Sequence, residues 1–168
     1  QAYHIVPDHQ FTRLYYATVD GIVSWINLNP ENTQVPNQII MNPEQIQTDL
    51  GDGEVDTQEI YELHGLKVDN QGRVVIVASS GFYVYDGNLE QCLWFLPDNS
   101  SPTHKLEAYS EEIRRLQLEP SGRFAFWLMA GFRLAVIDLS NFTVVRPNCR
   151  FYKSLSDEME EMEDVDEL

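Results

Sequence analysis

Three segments of the chain repeat one another. They are RLYYATVDGIVSWINL from Arg13, RVVIVASSGFYVYDGN from Arg73 and RFAFWLMAGFRLAVIDL from Arg123, and each places a glycine eight residues after its arginine, at Gly21, Gly81 and Gly131. Between the second and third copies the offset is a constant 50, with Leu66 matching Leu116, Val68 matching Leu118, Gly72 matching Gly122 and Phe82 matching Phe132. Self-similarity at such a period is the signature of a repeat architecture, in which each unit buries its apolar face against a neighbour.

The repeat decides how the most apolar stretch is read. From Phe124 to Leu139 only Arg133 and Asp138 carry charge. Sixteen residues with a cation near the middle fall short of the roughly 20 apolar residues a spanning helix needs. In register with its sister copies the stretch reads as strand, turn at Gly131, strand. Apolar Phe124, Phe126 and Leu128 alternate with Ala125, Trp127 and Met129, so both faces of that strand are expected to be buried. On this reading Phe126 or Leu128 changed to Asp abolishes folding.

Each arginine is preceded by a further candidate strand, LHGLKVD before Gly72 and IRRLQLE before Gly122, and followed by a fourth, EQCLWFL in the second copy and NFTVVR in the third. Asp69 to Gly72 and Glu119 to Gly122 carry the residues of tight turns. Four strands in about 50 residues is the arithmetic of a propeller blade. The first and second copies lie 60 apart, and the extra length falls in the Asn-, Pro- and Gln-rich segment from Asn29 to Asp56, read as an elaborated loop.

The segment Ile113, Leu116, Leu118, Pro120, Gly122, Arg123 is similar to the first strand and turn of WD40 repeats, and Tyr85-Asp86 and Ile137-Asp138 keep the Asp of the Trp-Asp pair for which that family is named. The chain resembles a WD40-type β-propeller over about residues 2 to 147. The expected fold is all-β: a partial propeller of about three four-stranded antiparallel blades, near residues 2–40, 58–97 and 109–147, in a domain of residues 1–150. Three blades leave two faces uncovered, because propellers close with roughly four to eight. The chain is therefore expected to be part of a larger ring, completed by another chain, a second copy or another part of the same chain.

Residues 151–168 form a separate acidic tail, disordered or helical. Asp157, Glu158, Glu160, Glu161, Glu163, Asp164, Asp166 and Glu167 crowd into it, and Leu155, Met159, Met162 and Leu168 recur at helical spacing, a pattern suited to docking on a basic, partly apolar groove. Ser154 and Ser156 stand where an acid-directed kinase would act. The net charge of −16 repels phosphate backbones and anionic lipid, so neither nucleic acid nor membrane is expected as a direct partner.

Chemistry has little to work with. The four histidines are scattered, no nucleophile elbow or phosphate loop is present, and Asp49, Asp52, Glu54 and Asp56 lack the spacing of a calcium loop. No catalytic residue, metal or cofactor is expected. Cys92 and Cys149 read as free thiols of an intracellular, nuclear or cytoplasmic protein. Arg13, Arg73 and Arg123 are candidates for partner contact or for anchoring the neighbouring turn. The leading function is a non-enzymatic protein-interaction scaffold, a subunit of a larger complex whose acidic tail docks separately. The alternatives are an acidic carrier for basic proteins such as histones, and a propeller hydrolase using metal carboxylates.

Overall fold

The computed structural model describes residues 2–41, 44–60, 63–99, 115–129 and 133–150. Every element among them is a strand. The first sheet runs in chain order through β1 (Ala2–Pro7), β2 (Arg13–Thr18), β3 (Ile22–Asn27) and β4 (Ile39–Ile40). The second holds β7 (Leu63–Val68), β8 (Val74–Ala78), β9 (Gly81–Tyr85) and β10 (Cys92–Pro97), and the third β11 (Arg115–Leu118), β12 (Phe124–Met129), β13 (Arg133–Asp138) and β14 (Thr143–Arg150). All neighbours are antiparallel. These are three four-stranded propeller blades.

The blades stack face to face, and their first strands converge. Strand β7 lies against β1 on one side and β11 on the other. Gly65 allows that approach, since a Cβ there would stand 2.7 Å from the Cβ of Leu116. On the other flank His4 and His9 donate from Nε2 to the carbonyls of Leu63 and Val68, at 2.8 and 3.1 Å, tying blade 1 to both ends of β7.

Two apolar cores fill the gaps. Between blades 1 and 2, Tyr15, Ala17, Val23 and Trp25 meet Leu66, Val68, Val74 and Ile76. Between blades 2 and 3, Val75, Val77, Phe82 and Val84 meet Leu116, Ala125, Trp127 and Ile137. All five residues of β8 are buried because their alternating side chains serve both cores. Among the described residues, blade 2 alone has another blade packed on each side.

The segment read as an elaborated loop is more ordered than its composition suggests. It supplies β4 and then an antiparallel hairpin of β5 (Glu44–Gly51) and β6 (Glu54–Ile60). Gly51, Asp52 and Gly53 turn that hairpin with φ of 87°, 54° and 80°. Asp52 and Glu54 are exposed beside it. An Asp between two glycines is what a tight hairpin turn requires, since each of the three takes positive φ.

The expectation that β12 is buried on both faces is overturned. Trp127 is 1% exposed while Phe126 is 37% exposed. The cause is a one-residue difference in the turn between first and second strands. In blade 2, Asp69 bonds directly across to Arg73, whereas in blade 3 Glu119 bonds to Phe124. The third turn is one residue longer, so Ala125, and not Phe124, takes the place of Val74. A slip of one residue exchanges the faces of a strand. Ala125, Trp127 and Met129 consequently point at blade 2, and Phe126 points away from it.

Candidate functional site

The repeated arginines are explained by what they reach. Arg73 donates from Nε to Asp69 at 2.6 Å, and from Nη2 to the carbonyl of Leu139 in the next blade at 3.0 Å. Arg13 does the same one blade earlier, donating from Nη1 to the carbonyl of Gly87 at 2.7 Å while its guanidinium lies 3.9 Å above the Trp25 ring. Gly87 and Leu139 are equivalent, each following the aspartate at the end of its blade's third strand. Both arginines therefore clasp the same point of the following blade. Tyr15 adds a second donor to Gly87 at 2.6 Å, and burial raises its hydroxyl pKa.

Arg123 breaks the series. It stands one residue before the clasping position, which Phe124 occupies, because Glu119 bonds across to Phe124 as Asp8 does to Arg13 and Asp69 to Arg73. Its Nη2 pairs with Asp138 of its own blade at 3.1 Å, and its side chain is 59% exposed, against 15% for Arg73. The Ser140 hydroxyl, then Arg123, hold the Asp138 carboxyl below its usual range. Of the three arginines, only Arg123 reaches no other blade.

Beside it lies the apolar face of blade 3 turned away from blade 2, formed by the exposed Phe126 and the half-buried Phe124, Leu128, Leu134 and Val136. Blade 1 has a matching apolar face on its far side, where Ile5, Ile26 and Ile40 are exposed around the half-buried Leu14, Tyr16 and Ile22. Exposed apolar patches of this kind mark interaction surfaces.

A third feature sits where the first strands end. A cleft of about 320 Å³ is lined by Val6, His9 and Phe11 of blade 1, Lys67 and Val68 of blade 2, and Leu118 of blade 3. Asp8 lines it as well, with its oxygens bonded by the backbone N–H groups of Thr12 (2.7 Å) and Arg13 (3.1 Å) and the Thr12 hydroxyl. Burial opposes the Asp8 charge, but those bonds outweigh it and lower the pKa.

The structure brings Arg13 and Arg73 into one recurring role and sets Arg123 apart. Leu155, Met159, Met162, Leu168, Ser154 and Ser156 lie outside the described residues, as does the Gly131 turn. Among the described residues no three His, Cys, Asp or Glu side chains gather as metal ligands would. Sequence reasoning missed Phe11. The signal was available in the turns, because Phe11 holds the place of Gly72 and Gly122, but aligning on the arginines set Gly72 against Thr12.

No family model matches the chain, and no curated protein matches it. Among solved structures it is similar to Kluyvelomyces marxianus Hsv2, at 12% identity and a TM-score of 0.46, over 89% of this chain and 39% of that one. The chain thus spans about two fifths of that protein's length.

Proposed function

We propose that the chain is a non-enzymatic, intracellular interaction scaffold, a portion of a WD40-like propeller that acts as a subunit of a larger assembly. The observation that carries this is the pair of partly exposed apolar faces, one on blade 1 and one on blade 3, flanking two interfaces built to a common plan. Further blades, from another chain or another part of the same chain, would cover them. The WD40 likeness draws support from position, since Asn27, Asp86 and Asp138 occupy equivalent places at the ends of the third strands. The acidic tail acts as the second docking element, for a basic protein.

Site-specific photocrosslinking tests the scaffold reading. A crosslinking phenylalanine analogue at position 126 of the natural protein in cells should join to peptides of a single β-sheet repeat. The same analogue at the buried position 127 should join only to blade 2. Position 126 crosslinking to nothing, or to many unrelated proteins, sinks the reading. Deleting residues 154–168 should cost the basic partner and leave the position-126 crosslinks intact.

A further inference from the structure

Three turns of the same build join the first and second strands of the blades. In each, the N–H of the fourth residue donates to the carbonyl of the first: Phe11 to Asp8 at 3.1 Å, Gly72 to Asp69 at 3.0 Å and Gly122 to Glu119 at 2.7 Å. The fourth residue has positive φ every time, 54°, 78° and 75°. Glycine adopts that conformation without penalty, whereas a bulky L-residue is strained in it. Blades 2 and 3 use glycine, and blade 1 uses Phe11.

Packing does not offset that strain, because the Phe11 side chain is 71% exposed. The turn itself has no need of the ring, since its two sisters close without one. What the ring does is wall the cleft at the convergence of the three blades. Strain held at an exposed position beside a cavity is the pattern of a binding residue.

We propose that this cleft binds a short peptide segment in which an aromatic or aliphatic side chain stands next to a carboxylate. The apolar side chain lies against Phe11 over a floor of Val6, Val68 and Leu118. The carboxylate meets the Lys67 ammonium, which has no ion-pair partner among the described residues. Asp8 offers its oxygens to its own turn, and His9 donates to Val68. The cleft therefore combines an apolar seat with the Lys67 cation and an Asp8 carboxylate engaged by its own turn, and its volume lies at the lower end of the roughly 300–1,000 Å³ of ligand pockets. This deepens the scaffold reading and rests on it only in taking the ligand to be a protein segment.

The chain's overall charge makes the test discriminating. At −16 the whole molecule favours basic ligands, so a preference for an acidic one must come from local contact. The probes are acetyl-Glu-Phe-Glu-amide and acetyl-Lys-Phe-Lys-amide, titrated into the full chain at physiological salt and followed by amide NMR shifts. The acidic probe should saturate shifts at residues 9–11, 67 and 118 and bind at least about tenfold tighter than the basic one, about 1.4 kcal/mol.

Phe11→Gly should weaken the acidic probe about tenfold while raising Tm by about 4 °C, since it removes strain. Lys67→Gln should erase the preference for the acidic probe. Absence of saturable shifts, an unchanged affinity for Phe11→Gly, or a lower Tm for Phe11→Gly each overturns the proposal. If the probes fail while position 126 still crosslinks to a sheet repeat, the cleft assignment falls and the scaffold reading stands. The reverse pattern removes the scaffold reading alone.

Discussion

Phe126 and Trp127 are consecutive residues of β12 and face opposite ways, Trp127 into the core against blade 2 and Phe126 onto the open side of blade 3. The Trp127 ring lies 5.8 Å from that of Phe82 across the interface. Trp127→Ala should therefore destabilise the chain by about 3–5 kcal/mol, the cost of emptying a large buried site. Phe126→Asp should leave the fold intact and lower its tendency to associate. Urea denaturation followed by circular dichroism measures the first effect, and light scattering across a concentration series the second. A Phe126→Asp variant that fails to fold would restore the two-faced burial that apolarity alone suggested.

The clasp arginines separate in the same way. Asp69 is buried and Arg73 is its ion-pair partner, so Arg73→Ala leaves a buried carboxylate with only the backbone N–H groups of residues 71 and 73 and leaves the Leu139 carbonyl without that donor. Breaking a buried pair costs about 3 kcal/mol. Arg123 is mostly exposed and bonds within its own blade, and its buried partner Asp138 keeps the N–H and hydroxyl bonds of Ser140, so Arg123→Ala should cost less than Arg73→Ala because it severs no bond between blades. Thermal unfolding of the two variants side by side tests the difference. Equal losses would mean that Arg123 also holds two blades together.

Acid should loosen the turns. Asp8 and Asp138 both have carboxyl pKa values depressed below the ordinary range, Asp8 by the Thr12 and Arg13 bonds and Asp138 by Ser140 and Arg123. A folded pKa below the unfolded one, about 3.9, gives stability that is fully present above that value and is lost as pH falls through the folded pKa. Stability should thus hold from neutral pH down to about 4 and drop below it. The wild type should exceed Asp138→Asn most at neutral pH, and the gap should close in acid. Urea midpoints at several pH values between neutral and strongly acidic give the comparison, and a constant gap would show that Asp138 is not held in its ionised form by these partners.

Much of this architecture was legible in the sequence, because alternation and spaced glycines report directly on strands and turns. The repeats located β2, β3, β8, β9, β12 and β13, and Gly72 and Gly122 were read as turn glycines for the reason the structure gives, their positive φ. The orientation of blade 3 was hidden. A match anchored on Arg73 and Arg123 carries no information about an added residue between Glu119 and the strand, yet that residue decides which face is buried. Phe11 was hidden for the same reason, since recognising a residue in glycine's place requires the backbone hydrogen bonds that make the three turns equivalent. The inter-blade clasps lie 74 and 66 residues apart along the chain, beyond the reach of any local pattern.

Gly65 offers the most direct check on how closely the blades converge. A methyl group at Gly65 would sit 2.7 Å from the Cβ and 3.3 Å from the Cδ2 of Leu116, so β7 and β11 must separate to admit it. Gly65→Ala should therefore destabilise the chain by about 1–3 kcal/mol, the usual cost of overpacking. Leu116→Ala alone should cost about 2–5 kcal/mol through the cavity it leaves. Combining them places the new methyl beside the vacated space, so the double variant should be more stable than the sum of the single losses predicts. A double-mutant cycle in urea gives that coupling energy, and strict additivity would mean that β7 and β11 are not in contact at this point.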